Sequence, residues 1–320
     1  MGGTVVRAPK EWTADLGTGG EGLRDLIYAQ QVVDALARLD CDVIHDHAGL
    51  AVLLSASLLG DMPLIHTVHR ALDSPVRAFY RGFDERVSLV AISAHQRSTA
   101  PELNWIGTVH HAVDGDVVRT VAPGEKEDYV VWLARITPDK GQDVAIRVAR
   151  AAGVRLVLAG KVGEDETSRE YYATAVRPYV DGRRVTHIEN VAGTEKAALL
   201  SRAQALIAPL QWDEPFGLAL AEAMVVGTPV VATPRGAAPE LVVNGVTGFL
   251  AHDEEGLAEA VRRVGDLDPV TCRSVAQRMF SVEAMTTAYI RLYEQCLAGH
   301  APDDHLVSYA LRDAVPARPT

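Results

Sequence analysis

Two glutamates bracket the stretch of this chain whose residue types and spacing best suit chemistry. Glu214 begins the sequence EPFGLALAE and Glu222 ends it. Pro215 disfavours helical geometry for Glu214, whereas an apolar helix is predicted from Leu218 onward. One carboxylate therefore precedes a helix, and the other lies inside it, about 7 Å farther along at roughly 1.5 Å per residue. Such a pair can accept hydrogen bonds from hydroxyl groups at two ends of one ligand.

The predicted start of this helix is suited to an anion. Backbone N–H groups around Gly217, Leu218 and Ala219 have no partner inside the helix, and this end carries a partial positive charge. A diphosphate is the ligand that this arrangement favours. The alternative without a ligand is a glutamate before the first turn, favoured by the helix dipole, and a solvated glutamate within the helix.

Two cations follow a predicted buried strand. Arg135 comes directly after the apolar run Tyr129–Ala134, and Lys140 lies in the region where the next helix begins. Cations at one strand end would face a diphosphate and stabilise charge on a departing phosphate group. An arginine and a lysine five residues apart are usually solvated, but their position after a strand favours a functional interpretation.

Histidines cluster at two further strand ends. His69 follows the predicted strand Pro63–Val68 and is either a satisfied structural residue or a ligand contact. His45, His47, His66 and His69 together could suggest a metal centre. No acidic third ligand is evident from the spacing, so no metal site is predicted.

The composition narrows the classes of function. Among 320 residues, 31 are Lys or Arg and 42 are Asp or Glu, for a net charge of −11. This charge argues against generic nucleic-acid binding and gives no support for a basic membrane-docking surface, although peripheral membrane contact is left open. The three cysteines are widely spaced, which fits a reducing compartment. With no predicted membrane span or signal-peptide core, we expect a cytoplasmic protein.

The segment Glu214–Leu250 resembles the signature of retaining glycosyltransferase family 4, whose members have the GT-B fold. The resemblance extends over roughly residues 42–298 and is most specific in this segment. It implies that Glu214 contacts the donor hexose and that Glu222 binds the ribose hydroxyls. It also implies that the intervening backbone holds phosphate. The residues concerned are Phe216, Gly217 and Leu218.

The same resemblance implies roles for other strand-end residues. Arg135 and Lys140 would stabilise the leaving diphosphate, although Ala134 stands where the family usually has glycine. His69 would lie near the donor hexose. The implied catalytic set is Glu214, Arg135, Lys140 and His69. The implied donor is a nucleoside-diphosphate sugar, and no metal or other cofactor is expected.

Short apolar strands alternate with helices along the chain, which predicts an α/β fold with parallel sheets. The resemblance implies two Rossmann-like doubly wound domains facing a cleft. We expect an acceptor-side domain over residues 1–120 and a nucleotide-sugar domain over residues 121–300. A last helix, Val282–Leu297, would return to the first domain, and residues 301–320 would form a loosely ordered tail.

The N-terminal region departs from the family pattern. Members usually begin with a strand, a Gly-rich loop, a long helix and a second strand. Only a short strand, Thr4–Arg7, and the pair Gly19-Gly20 are found here. We therefore expect either a shortened first domain or a sequence that lacks the start of a longer protein, and both alternatives leave the acceptor site and the activity of this chain open.

The predicted function is transfer of a hexose from a nucleoside-diphosphate sugar to an acceptor with retention of configuration. A second hypothesis is a non-catalytic relative that binds nucleotide sugars. A third, a dinucleotide-dependent oxidoreductase, requires a G-x-G-x-x-G turn directly after a strand, and no predicted strand leads into one. The sequence does not specify the base, the hexose, the acceptor or the oligomeric state.

Overall fold

The computed structural model describes residues 21–58, 62–114 and 125–298. The chain forms two compact units. Unit 1 comprises the chain up to Ile92 together with Arg97–Thr108 and the segment from Tyr289, and unit 2 comprises Ser93–Gln96 and Val109–Ala288. The predicted strand Thr4–Arg7, the glycine pair after it, the predicted boundary at residue 120 and the predicted tail 301–320 lie outside the described residues.

Unit 1 is built on a four-stranded parallel sheet. Its strands are β1 (Ile44–Asp46), β2 (Leu64–Val68), β3 (Ser88–Ala91) and β4 (Trp105–Thr108). They lie side by side in chain order, as in one half of a doubly wound sheet. The helices that start between or before them are α1 (Glu21–Leu36), α2 (Leu50–Ala56), α3 (Ser74–Arg81) and α4 (Ala94–Thr99).

Unit 2 has a six-stranded parallel sheet with a topological switch. Its strands are β5 (Tyr129–Leu133), β6 (Arg155–Ala159), β7 (Val185–Ile188), β8 (Ala205–Ala208), β9 (Val230–Ala232) and β10 (Gly248–Leu250). Their spatial order is β10-β9-β8-β5-β6-β7, so the chain reverses direction across the sheet between β5 and β8. Ligands bind beyond the carboxyl ends of the strands at such a point.

The helices of unit 2 cover the sheet. They are α5 (Gln142–Ala152), α6 (Glu166–Tyr171), α7 (Gly193–Arg202), α8 (Leu218–Val225), α9 (Ala238–Leu241), α10 (Glu254–Arg263) and α11 (Pro269–Phe280). A last helix, α12 (Val282–Leu297), begins in unit 2 and continues into unit 1 from Tyr289. Within the described ranges, no helix is long and apolar enough to cross a membrane.

The short apolar runs of the sequence form the interior strands. All four residues of β8 and all three of β9 are buried, as expected where helices cover both faces of a parallel sheet. Helix α8 packs by its small residues, since Ala221 and Ala223 are fully buried. Leu218, predicted to share its apolar face, is 49% exposed, because the buried contacts of this helix begin only at Leu220.

Residue patterns also predict a helix over residues 166–179 and N-caps at Thr194 and Ser93, and the structure corrects the first two of these predictions. The helix predicted over residues 166–179 continues after α6 as a π-helical segment, Tyr172–Val176, and a 3-10 turn, Arg177–Tyr179. Thr194, predicted as an N-cap, lies inside α7, whose N-cap is Ala192 and has no side-chain hydrogen bond. Ser93, by contrast, accepts a hydrogen bond from the Gln96 N–H at 2.9 Å, which confirms its predicted capping role.

Candidate functional site

The backbone of Glu214 is fixed by the loop that follows β9. The Ala237 N–H donates a hydrogen bond to the Glu214 carbonyl at 2.9 Å. Gly236 has φ +57° and approaches so closely that an added Cβ would lie 2.3 Å from the nitrogen and the oxygen of Glu214. Only glycine fits this position, so the β9 loop determines where the glutamate stands.

The start of α8 presents unpaired backbone donors. Gly217 has φ +94°, and its carbonyl accepts from the N–H groups of Leu220 and Ala221 at 2.9 and 3.4 Å. The N–H groups of Leu218 and Ala219 have no acceptor within the described part of the chain. Phe216 is 2% exposed. Its ring packs against the rings of His110, His111 and Phe280. A buried aromatic residue thus anchors a helix end that can bind an anion.

Two loops of unit 2 meet at the switch point and bring Lys140 to Glu214. Gly141, with φ +67°, lies so close to the Pro209 carbonyl that an added Cβ would be 2.3 Å from its oxygen. The Gln211 N–H also donates to the Asp139 carbonyl at 2.9 Å. The loop after β5 is therefore tied to the loop after β8, and their side chains share one site.

Lys140 and Glu214 form an ion pair at this junction, between Nζ and Oε2. Each side chain is 18% exposed. The Trp212 Nε1–H donates to the same carboxylate oxygen at 3.2 Å, and Lys140 Nζ lies 4.2 Å from the centroid of a Trp212 ring. The Trp132 Nε1–H donates to the Lys140 carbonyl at 2.8 Å. Two tryptophans therefore hold the backbone and the side chain of this lysine.

Glu222 has a lysine partner of its own. Lys196 of α7 donates to Glu222 Oε1 at 2.6 Å, and the side chains are 30% and 22% exposed. Sequence reasoning missed Lys196. A signal was present, because a cation in the first turn of a helix opposes the helix dipole and calls for another explanation. Both glutamates thus have one oxygen held by a lysine and a second oxygen with no hydrogen bond in the described residues.

Arg135 lies beside these pairs in the chain but takes no part in them. Its side chain is exposed and makes no hydrogen bond or ion pair with the described residues. Its backbone is fixed, because the carbonyl accepts from Gln142 Nε2 at 2.9 Å. Just before it, an added Cβ at Gly160 would lie 2.0 Å from the Ala134 oxygen, so β5 and β6 pack tightly where they end. An accessible cation therefore extends from a rigid strand end.

His69 lies in unit 1, at the carboxyl end of β2, where it is exposed. Its Nε2 is 2.9 Å from His47 Nδ1. His45 makes separate bonds, to Tyr293 at 2.7 Å and Thr67 at 2.8 Å. Among the described residues, no group of three His, Cys, Asp or Glu side chains is arranged to hold a metal ion.

The pair Pro239-Glu240 predicts that Glu240 caps the short helix that it opens, and the structure gives this side chain a different role. It lies inside α9, and its two carboxylate oxygens accept the Ala94 N–H at 3.1 and 3.0 Å. The His110 imidazole is 3.5 Å from the same carboxylate. The acidic side chain therefore caps α4, a helix distant in sequence.

Comparison with known proteins gives a consistent family. Residues 118–276 match the family model described as glycosyl transferases group 1. The chain is 27% identical to a D-inositol 3-phosphate glycosyltransferase of Corynebacterium aurimucosum, over 83% of this chain and 75% of the relative. It is 32% identical to one of Mycobacterium avium, over 68% of this chain. The chain spans 54% of the length of that relative and 59% of one from Mycobacterium marinum.

Solved structures agree on the fold. AviGT4, a glycosyltransferase involved in avilamycin A biosynthesis, is 27% identical with a TM-score of 0.67, over 85% of this chain and 78% of that one. Anabaena HepE in complex with UDP and glucose is 19% identical with a TM-score of 0.70, over 87% and 83%. At that identity the second match shows the fold alone. The chain therefore belongs to glycosyltransferase family 4 and has the GT-B fold, with residues 118–276 as its glycosyl transferases group 1 region.

Proposed function

We propose that this protein is a retaining glycosyltransferase that moves a hexose from a nucleoside-diphosphate sugar to an acceptor. One observation carries the proposal. At the switch point of the unit 2 sheet, the paired Lys140 and Glu214 lie beside a helix start with unpaired N–H groups. Cationic, anionic and backbone groups of this kind match a ligand that has a diphosphate at its centre and hydroxyl groups at both ends.

In this proposal the diphosphate is bound by the cationic side chains and the backbone N–H groups. The N–H groups of Leu218 and Ala219 donate to its oxygens, together with the side chains of Arg135 and Lys140. Negative charge grows on this group as the bond to the sugar breaks. Donors that are already in place stabilise that charge without reorganisation.

The two carboxylates accept hydrogen bonds from hydroxyl groups of the donor. Glu214 offers Oε1 to the hexose, and Glu222 offers its second oxygen to the ribose. Because Glu214 is already bound to a lysine and an indole, it acts as an oriented hydrogen-bond acceptor. We do not assign it as a covalent nucleophile. The acceptor hydroxyl then attacks on the face that the diphosphate leaves, and the leaving phosphate oxygen takes the hydroxyl proton.

The relatives suggest which compounds to try first. HepE has been solved with UDP and with UDP-glucose, and the curated relatives are D-inositol 3-phosphate glycosyltransferases. We therefore propose a uridine-diphosphate hexose as the first donor to test and an inositol phosphate as the first acceptor. A cytoplasmic location, expected from the cysteine usage, would give access to such donors.

The test is binding followed by turnover. Calorimetric titration with UDP, GDP and ADP and their hexose conjugates would identify the donor. Turnover with D-inositol 3-phosphate, followed by NMR of the product, would then give the anomeric configuration. Binding and transfer with the configuration of the donor support the proposal. Transfer with inversion contradicts the retaining part. Binding without turnover or hydrolysis supports the non-catalytic hypothesis, and binding of no nucleotide rejects both.

A further inference from the structure

One carboxylate oxygen of the site has two different donors. Both Lys140 Nζ and Trp212 Nε1 bond to Glu214 Oε2. The ammonium group also lies 4.2 Å from the centroid of a Trp212 ring, so the indole contacts both members of the ion pair. By sequence alone, Trp212 could pack against a sugar or a base, or simply within its own loop.

The two donors respond differently to an incoming diphosphate. The ammonium is a mobile cation with three N–H groups and is attracted to the phosphate charge. The indole N–H is neutral and has no such attraction. Trp212 is also only two residues from Glu214 in the chain and is half-buried, which limits its movement. A bound diphosphate therefore draws Lys140 away from the carboxylate but leaves the tryptophan in place.

Without the indole, Glu214 would be displaced at the moment it is needed. Its carboxylate would lie beside a diphosphate of the same sign, with its lysine partner shared or lost. Glu214 is the residue that faces the hexose, so its displacement weakens binding of a nucleotide sugar. The displacement of Glu214 does not affect the affinity for the nucleotide portion of the ligand.

We infer that Trp212 is a positioning residue: its indole N–H holds Glu214 toward the hexose while Lys140 binds the diphosphate. It thereby makes the site prefer a nucleotide sugar to the free nucleotide. The inference rests on the proposed function. It adds that the two parts of the Trp212 side chain have different roles. The N–H orients Glu214 toward the sugar, and the ring contacts Lys140 through a cation–π interaction.

Two substitutions separate these contributions. Trp212→Phe removes the N–H and keeps an aromatic face. We expect affinity for the nucleotide sugar to fall about tenfold and affinity for the free nucleotide to stay within about twofold, the size of one lost hydrogen bond to a charged group. Trp212→Leu also removes the ring, so both affinities fall. Trp212→His, which keeps an N–H donor, restores part of the preference.

The measurement is calorimetric titration of the full chain with UDP and UDP-glucose, GDP and GDP-mannose, and ADP and ADP-glucose. Trp105→Phe is the matched control, because the Trp105 Nε1–H donates to the Ala100 carbonyl at 2.8 Å inside unit 1. Thermal unfolding identifies any variant that has lost its fold. Should Trp212→Phe do so, Trp212→Leu, which also lacks the N–H, is compared with Trp212→His in the ratio of the two affinities.

The outcomes distinguish failure of the proposed function from failure of the inference about Trp212. If the wild-type protein binds no member of the three ligand pairs, the proposed function and this inference both fail. If the wild-type protein binds a pair and Trp212→Phe leaves its preference unchanged, the inference alone is overturned. The same holds if both affinities fall by equal factors in Trp212→Phe, because Trp212 then acts only through the lysine.

Discussion

The carboxyl ends of the two sheets carry opposite kinds of chemistry. In unit 2 they carry charged pairs, Lys140 with Glu214 and Lys196 with Glu222, which are partly exposed and keep one carboxylate oxygen uncommitted. In unit 1, His45 is fully engaged. Both of its ring nitrogens are bonded, and burial lowers its pKa to about 3, so the ring is neutral.

The partners of His45 show what the unit 1 network does. Tyr293 and Tyr289 lie on α12 and bond to His45 and to Thr67, at 2.7 and 3.0 Å. The network thus attaches the end of the last helix to the strand ends of unit 1. Open charged pairs can exchange one partner for a ligand, whereas a saturated neutral network can only hold structure.

The opposite face of the same strands repeats this pattern. His66 bonds to Asp46 at 2.6 Å and to Tyr80 at 3.0 Å. These side chains are 2%, 6% and 3% exposed, and burial raises the pKa of Tyr80 to about 12. The sequence HDH, which could suggest a metal centre, thus divides between two faces of β1: His45 bonds to a tyrosine of α12, and Asp46 bonds to the buried His66.

Among substitutions that test the contrast between the two strand-end clusters, Glu214→Ala is expected to have the largest effect. We predict that turnover, measured as kcat/KM with whichever donor calorimetry identifies, falls on the order of 100-fold, the cost of removing a preorganised polar group. The control is Glu127→Ala, since Glu127 forms an exposed ion pair with Arg202 at 3.3 Å. Unchanged turnover in Glu214→Ala would remove the distinction between the two strand-end clusters.

The neutral network predicts an acid-sensitive fold. The pKa of His45 is about 3 in the folded chain and 6.5 when unfolded, so protons bind preferentially to the unfolded chain between these values. The stabilisation is complete above pH 6.5 and is lost as the pH falls toward 3. We expect protonation of His45 in the unfolded chain to lower the free energy of unfolding by about 2 kcal/mol near pH 5.

The measurement is urea unfolding across pH, comparing wild type with His45→Asn. The variant is less stable near neutral pH but loses less on acidification. His252→Asn, at an exposed position, should retain the wild-type pH profile. Parallel profiles for wild type and His45→Asn would show that His45 does not resist protonation. Charge on His47, His66 and His69 also lowers the pKa of this ring, and all three residues are unchanged in the comparison.

A smaller effect is expected from Gly236→Ala, which tests whether the β9 loop positions Glu214. The new methyl would collide with the Glu214 backbone, so donor affinity should fall about tenfold. Gly182→Ala is the control, because Gly182 has φ +72° with nothing within 4 Å of an added Cβ. Both variants have backbone strain, and equal donor affinity in the two would refute the positioning role.

The smallest effect is predicted for Glu222→Ala. Under the proposed function Glu222 offers one oxygen to a ribose, so nucleoside-diphosphate affinity should fall about fivefold, with little change in the unfolding midpoint. Calorimetry and thermal unfolding measure the two quantities. Glu195→Ala, an exposed glutamate on α7, is the matched control. An equal loss of affinity in the control would contradict a specific role for Glu222.

Local patterns predicted most of the strands. The apolar runs at β5, β6 and β8 are confirmed to within one residue at each end, and β8 and all but the last residue of β5 are buried. Helix α3 was missed, since it is short and contains several polar residues. Its start depends on the Asp73 cap, which is a weak signal without tertiary contacts.

By itself, the sequence determined the alternating strands and helices and the residues at the strand ends, including Glu214, Glu222, Arg135 and Lys140. Apolar burial and helix-start chemistry are local properties, so a linear pattern is sufficient to reveal them. Only the tertiary structure decided which of these residues meet. The pairing of Lys140 with Glu214 spans 74 residues and depends on Gly141 and Gly236, which allow three loops to pack together.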